Sequence, residues 1–118
     1  MREIIFRGKT KDTAISHWVY GDLIHEPSGI YIQYIHDNNC IKCEVEENTI
    51  SEYTGYNDEY GNKMFENDIV ICPEDGLHFV KGVIKKEKGA FIIEWENKYY
   101  CPYPPLKVIG NVFDIEGD

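Results

Sequence analysis

Apolar residues in this chain alternate with polar residues over short runs, and they almost never recur at the spacing of a helix. Between residues 40 and 46, for example, Ile41, Cys43 and Val45 fall on one face of a strand, and the residues between them fall on the other. A period of two favours half-buried strands over amphipathic helices. The pattern therefore predicts an all-β protein with at most one or two short helical turns.

Turn residues interrupt the alternating runs at short intervals, as they do in small barrels and sandwiches. Asp37-Asn38-Asn39 and Tyr60-Gly61-Asn62 are two such signals. Thr49–Glu52 has the spacing of a capping box, which predicts one short helical turn that ends at Tyr53-Thr54-Gly55. The predicted strands are Arg2–Phe6, His17–Tyr20, Ile30–Ile35, Cys40–Glu46, Asp68–Cys72, Leu77–Ile84, Ala90–Trp95, Lys98–Cys101 and Leu106–Phe113.

The five strands after Phe65, joined by tight turns, favour a small SH3-like barrel in the C-terminal half, which the N-terminal strands would extend or cover. The charged run Lys85–Gly89 is typical of a hairpin tip. Glu96-Asn97 predicts a second tight turn, and Pro102–Pro105 predicts an extended loop. A chain of 118 residues without a linker or repeat fits one domain, so we expect a single domain over residues 1–118.

The four cysteines do not have the paired spacing of a zinc ribbon. Cys40 and Cys43 have C-x-x-C spacing, but alternation along a strand places them on opposite faces. No apolar run approaches the ~20 residues that span a bilayer, and no signal-peptide core follows the opening MREIIFRGKT. We therefore expect a cytoplasmic protein with reduced thiols and without metal or cofactor. A zinc site that adds His36 to the cysteine pair is the less favoured alternative.

The net charge of −9 arises from one stretch, residues 44–75. This stretch holds ten acids against a single base, Lys63, whereas acids and bases balance on both sides of it. An acidic chain is a poor non-specific DNA binder. Two interpretations stay open: the acids keep the protein soluble, or they form a surface that attracts a basic partner or imitates a nucleic-acid backbone.

The sequence contains no recognisable catalytic motif. Its glycines never form a phosphate-binding loop, and no serine or cysteine lies in a nucleophile elbow. Four carboxylates do lie close together in sequence: Asp58, Glu59, Glu66 and Asp68. Paired carboxylates perform acid–base chemistry when burial raises one pKa, but acids beside Gly61 and Asn67 are more often turn formers. We therefore predict no catalytic residue.

Three segments of the chain resemble the YopX family of phage and prophage proteins. They are Met1–Arg7, the stretch from Glu52–Gly55 through Asp58, Gly61 and Phe65–Val70, and Val108–Phe113. These segments are similar to the family's N-terminal strand, central motif and closing strand. The resemblance implies a small, mostly β protein in a bacterial host cell, and it implies no known activity, cofactor or catalytic residue.

The chain departs from the family pattern at Asn67, where the pattern usually has glycine before the Asp-Ile-Val run. Asn tolerates a positive φ better than other non-glycine residues. We therefore predict a left-handed turn at Asn67, braced by the side chain of Asp68, and a second structural turn at Gly61.

Interaction with another protein is the function that these observations favour. Acids from the 44–75 stretch would form the surface together with tyrosines near the proline loop, because tyrosine suits protein-binding surfaces. The expected surface residues are Glu46, Glu47, Asp58, Glu59, Tyr99, Tyr100 and Tyr103. The partner would be a host or phage protein, and self-association stays open.

Two other functions are alternatives. One is a nucleic-acid-associated small barrel whose aromatic rings stack on bases, with a basic patch from Lys81, Lys85, Lys86 and Lys88. The other, less favoured, is a small enzyme that uses the clustered carboxylates.

Overall fold

The computed structural model describes residues 3–11, 15–72, 80–95, 98–100 and 106–114. Within these ranges the chain forms β-strands and one short 3-10 turn at Glu47–Thr49, which confirms the all-β prediction. No helix in these ranges is long and apolar enough to cross a bilayer. The strands are β1 (Phe6–Lys9), β2 (Trp18–Glu26), β3 (Gly29–His36), β4 (Asn39–Glu44), β5 (Ser51–Asn57), β6 (Lys63–Phe65), β7 (Asp68–Cys72), β8 (Val80–Glu87), β9 (Ala90–Trp95), β10 (Lys98–Tyr100) and β11 (Lys107–Asn111).

The chain divides into two compact units, Met1–Tyr53 and Thr54–Asp118, and β5 crosses the boundary between them. Each unit contains a cluster of buried apolar side chains. The expectation of one folding domain stays a prediction.

The first unit is built on antiparallel strands in the order β4-β3-β2-β1-β5. β3 and β4 are joined by Asp37 and Asn38, which have φ values of 51° and 64°. A two-residue turn with both φ angles positive is the type that matches the twist of a hairpin. The resulting register places Ile41 opposite Tyr34, so that β4 contributes its apolar face to the buried centre.

The centre of the first unit is formed by Val19, Ile32 and Val45. Val45 lies just after β4 and forms an isolated bridge with Thr10, just after β1. Gly8 allows this approach, because a Cβ at position 8 would lie 3.0 Å from the Cβ of Val45. The missing side chain thus lets the end of β4 pack closely against β1.

The second unit contains an antiparallel sheet in the order β10-β9-β8-β7-β11. One face of this sheet carries the buried residues Val70, Ile84 and Ile93, and Met64 and Leu106 pack with them. These side chains alternate along their strands with residues that face the other way. The opposite face of this sheet therefore carries a different set of side chains from the face that forms the core.

The barrel prediction is not confirmed. The five strands after Phe65 do form one sheet, with the first and last strands, β7 and β11, paired. Its edge strands β10 and β11 do not pair with each other in the described ranges. The N-terminal strands form their own sheet with β5 and β6, rather than extending the C-terminal sheet.

Several local predictions were also wrong: β2 continues to Glu26 instead of ending at Tyr20, and β5 and β6 were not predicted as strands. The first strand lies at Phe6–Lys9 instead of Arg2–Phe6, and Tyr53-Thr54-Gly55 belongs to β5 instead of ending a helical turn. The helical turn begins earlier, at Glu47, because the Thr49 hydroxyl bonds backward to the carbonyl of Glu46. The predicted turn at 96–97 and the proline loop at 102–105 lie outside the described residues.

Candidate functional site

We define the acidic turn as Glu46–Thr49. Hydrogen bonds with the carbonyl and the N–H of Lys9 hold this turn in place. The N–H of Glu46 donates to the carbonyl of Lys9 at 2.8 Å. The Thr49 hydroxyl donates to the Glu46 carbonyl at 2.7 Å and accepts from the Lys9 N–H at 2.9 Å. Thr49 itself is buried, so the turn is anchored to the end of β1.

The carboxylates on the acidic turn are presented to solvent. Glu46 and Glu47 are exposed, and neither makes an ion pair with a cation in the described ranges. Glu44, just before the turn, is half-buried and lies 3.6 Å from the ammonium of Lys11. Two uncompensated charges on a fixed backbone can therefore attract a basic surface without reorganising the chain.

Asp58 is buried instead of exposed, so its assignment to an interaction surface is wrong. Its side chain is only 6 % exposed. Oδ1 accepts from the backbone N–H groups of Tyr60 at 2.9 Å and Asn62 at 2.8 Å. Oδ2 accepts from the Asn62 side-chain amide at 3.2 Å and from the Val108 N–H at 3.0 Å. The carboxylate thus holds the 58–62 loop together and ties it to β11.

The charge state of Asp58 follows from these contacts. Burial by itself raises the pKa of the Asp58 carboxyl, but hydrogen bonds from Val108, Asn62 and Tyr60 outweigh it and bring the pKa below its ordinary value. A carboxyl group with a lowered pKa is a poor general acid near neutral pH. Asp58 is therefore a structural anion.

The turn between β6 and β7 has the geometry that the sequence predicted. Asn67 has a φ of 73°, and the Asp68 side chain accepts from the Phe65 N–H at 2.8 Å. Asp68 is 2 % exposed. Gly61, at the other predicted turn, has a φ of 87°. These residues of the central motif thus have structural roles.

The other predicted surface residues have different outcomes. Glu59 is exposed beside the buried Asp58. Tyr99 and Tyr100 lie in β10, where their side chains are outside the described part of the structure, and Tyr103 lies outside it altogether. Tyr60 is 65 % exposed, although it was not among the surface residues predicted from sequence.

Cys40 and Cys43 lie on opposite faces of β4, as alternation predicted. Cys40 is exposed and Cys43 is half-buried. The Cys43 sulfur lies 4.0 Å from the hydroxyl of Tyr34. Burial is the main cause that raises the pKa of Tyr34, and the contact with Cys43 raises it further. Across the described ranges, no three His, Cys, Asp or Glu side chains form a group that could hold a metal ion.

The lysines suggested from sequence as a basic patch are divided between two faces of β8. Lys85 is the register partner of Ile92, whereas Lys86 pairs with Phe91 on the other face and its ammonium lies 5.5 Å from the centre of that ring. The strand β8 continues to Glu87, so only Lys88 and Gly89 form the hairpin tip. The period-two alternation along β8 is the sequence signal that could have assigned Lys85 and Lys86 to opposite faces.

These features define an all-β protein in which the acids of the central motif act as structural ties. The chain belongs to the YopX family: the family model described as YopX protein matches residues 5–115, nearly its whole length. No curated protein and no solved structure matches the chain.

Proposed function

We propose that this protein is a non-enzymatic interaction module whose acidic turn binds a basic surface on another protein. The observation that carries the proposal is the pair Glu46 and Glu47, both exposed and unpaired among the described residues, on a backbone anchored to β1. Solubility does not require charges to be held in a fixed position. A rigid pair of charges lowers the ordering cost of binding.

The environment of the other acids supports a non-enzymatic role. Asp58 and Asp68 are buried and accept hydrogen bonds from backbone N–H groups. Such bonds stabilise the ionised carboxylate, whereas a general acid needs a raised pKa. The resemblance to phage and prophage proteins makes a host or phage protein in the bacterial cytoplasm the proposed partner.

Affinity capture followed by binding kinetics tests the proposal. The wild-type chain is used as bait in bacterial lysate, and the captured protein is purified. Its association rate is then measured against wild type and the double variant Glu46→Lys/Glu47→Lys at several salt concentrations. We expect the variant to associate more slowly, with a weaker salt dependence, because complementary charge mainly accelerates encounter.

The matched control is Asp22→Lys/Glu87→Lys, which makes the same change of charge at two exposed positions away from the acidic turn. We expect it to remain closer to wild type in both rate and salt dependence. Equal slowing by the two double variants would mean that net charge alone steers the partner. That result would contradict a role for the acidic turn.

Nucleic-acid association is the alternative function, and the exposed lysines near the β8–β9 turn favour it. Lys85, Lys86 and Lys88 are exposed, and Lys86 covers the ring of Phe91. A gel shift with single-stranded DNA at low salt separates the two functions. Binding that disappears in Lys86→Glu/Lys88→Glu would support the alternative.

A further inference from the structure

The second face of the β7–β8–β9 sheet carries an apolar centre with lysines around it. We call it the lysine-rimmed face, and it is distinct from the acidic turn. Its apolar residues are Ile69, Ile71, Val83 and Ile92, and its basic residues are Lys81, Lys85 and Lys107. The interaction surface predicted from sequence includes none of them.

Strand register shows that these residues share a face. On β7 and β8, Ile69 pairs with Val83 and Ile71 pairs with Lys81, whereas the core residue Val70 pairs with Gly82 between them. Paired residues of neighbouring strands point to the same side, and residues one step along a strand point to the other. The side opposite Val70 is therefore the side of Ile69 and Ile71.

The same face continues onto the flanking strands. On β9, Ile92 is the register partner of Lys85. On β11, Lys107 is the register partner of Ile71. The lysines thus extend from β8 to the β11 edge of the sheet.

The exposure of these side chains fits a binding surface. The four apolar residues are half-buried, and the three lysines are exposed. Two acids share the face: Glu94 is half-buried and lies 3.7 Å from the ammonium of Lys85, and Glu87 is exposed two residues beyond Lys85 on β8. The Lys107 ammonium lies 5.6 Å from the centre of the exposed Tyr60 ring. Three lysines against two acids leave the face with one excess positive charge, in a chain whose net charge is −9.

We propose that the lysine-rimmed face binds an acidic amphipathic helix of another protein. Three neighbouring strands span about 10 Å, which is close to the diameter of an α-helix with its side chains, about 10–12 Å. An apolar stripe of leucine or isoleucine would cover the aliphatic centre, and glutamates beside the stripe would reach the lysines. The face therefore fits a helix that has both an apolar stripe and acidic residues beside it.

Other occupants fit the chemistry less well. Nucleic-acid bases stack on aromatic rings, and the centre of this face is aliphatic. A second copy of the chain would bring together two molecules that each carry −9, which opposes association at low salt. Binding to an anionic membrane depends on apolar side chains that reach into the acyl boundary, whereas the apolar side chains of this face are half-buried.

A designed peptide provides the probe. It carries a helical stripe of leucines flanked by glutamates and is labelled with a fluorophore. Two control peptides replace the glutamates by lysines or scramble the stripe at constant composition. We expect only the acidic amphipathic peptide to bind. In protein with labelled isoleucine methyl groups, its addition should shift Ile69, Ile71 and Ile92 and leave the buried Ile32 and Ile84 in place.

Two double variants of the lysines provide the test in the protein. Lys81→Glu/Lys85→Glu reverses charge on the lysine-rimmed face, and Lys86→Glu/Lys88→Glu makes the same charge change at the neighbouring hairpin. We expect the first variant to bind the peptide about ten-fold more weakly at low salt, and the second to lose less than about two-fold. Circular dichroism and thermal unfolding identify any loss of folding.

Four results would overturn the proposal. One is equal weakening by both variants, and another is methyl shifts confined to residues away from the face. The third is binding of single-stranded DNA or anionic vesicles, with the same methyl shifts, in place of the peptide. The fourth is self-association in sedimentation experiments that Lys81→Glu/Lys85→Glu abolishes, because the occupant would then be a second copy of the chain.

Discussion

The carboxylate of Asp58 accepts a hydrogen bond from the backbone N–H of Val108 at 3.0 Å, although fifty residues separate them in sequence. Beside it, the N–H of Glu59 donates to the carbonyl of Leu106 at 3.0 Å. β11 is an edge strand of its sheet in the described ranges, and edge strands present unpaired backbone groups to other chains. The Asp58 loop thus satisfies part of the β11 edge and connects the central motif of the family to its closing strand.

Replacing Asp58 with Asn should destabilise the protein. The amide keeps the size of the side chain, but it loses the charge and one of the two acceptor oxygens, each of which now accepts two hydrogen bonds. We expect a loss of about 1–3 kcal/mol in the free energy of unfolding, measured by urea denaturation. Glu59→Gln, at the exposed neighbour, is the control and should change it by less than about 0.5 kcal/mol. Equal stability of Asp58→Asn and wild type would show that the loop does not depend on the carboxylate.

The contribution of Asp58 should depend on pH in a defined direction. Its pKa in the folded protein lies below the ordinary value, because the hydrogen bonds from Val108, Asn62 and Tyr60 outweigh the effect of burial. The stabilisation is therefore present above the pKa of an unfolded Asp, about 4, and is lost as the pH falls through the lower folded pKa. The difference in unfolding free energy between wild type and Asp58→Asn should be constant near neutral pH and narrow in acid. A difference that widened below pH ~4 would contradict this assignment.

Asn67 offers a test of backbone strain. With a φ of 73°, it occupies the region that glycine adopts without cost. Asn67→Gly should therefore leave stability unchanged or slightly raised, whereas Asn67→Val should cost about 1–2 kcal/mol. Thermal and urea unfolding of the two variants measure both effects. Similar stabilities for Gly and Val at this position would show that the turn relaxes to another conformation.

Local features were predictable from sequence, and long-range features were not. The turn at Asn67 and its brace from Asp68 depend on residues within three positions of each other, so the sequence contains the relevant information. The Asp58–Val108 bond joins segments fifty residues apart, and no local pattern specifies it. Asp58 was placed on the surface because its sequence neighbours are acidic, although the β11 edge buries it.

Which residues share one face of a sheet was only partly predictable from sequence. Alternation along β8 separates Lys85 from Lys86, and this could have been read from sequence. Register across strands, which brings Lys107 beside Ile71, requires the fold. The division of the strands into two sheets was likewise unpredicted, since strand signals alone do not identify their partners.

Gly82 tests the packing of the second unit. A Cβ added there would lie 2.5 Å from the Cγ2 of Ile93 and 2.9 Å from the backbone oxygen of Glu94. Because the oxygen belongs to a neighbouring strand, the clash cannot be relieved by a rotamer change. We expect Gly82→Ala to cost about 1–3 kcal/mol in chemical denaturation. Gly110→Ala, where nothing lies within 4 Å of the added Cβ, is the control, and equal costs would contradict the packing argument.

The acidic turn can be loosened without changing its charge. The Thr49 hydroxyl donates to the Glu46 carbonyl and accepts from the Lys9 N–H, and Thr49→Val removes both bonds while keeping the shape of the side chain. We expect a stability loss of about 1–3 kcal/mol, because the Lys9 N–H loses its acceptor and the Glu46 carbonyl keeps only the Thr49 N–H as donor. If the fixed position of Glu46 and Glu47 matters for binding, the captured partner should also dissociate faster from the folded variant. The association rate should change little, since long-range steering depends on charge, which is conserved. Thr54→Val, at a buried hydroxyl that donates to the carbonyl of Tyr56 and accepts from its N–H, makes the same change outside the acidic turn and controls for lost stability alone. Faster dissociation in both variants to the same extent would mean that stability, and not the position of the glutamates, governs the lifetime of the complex.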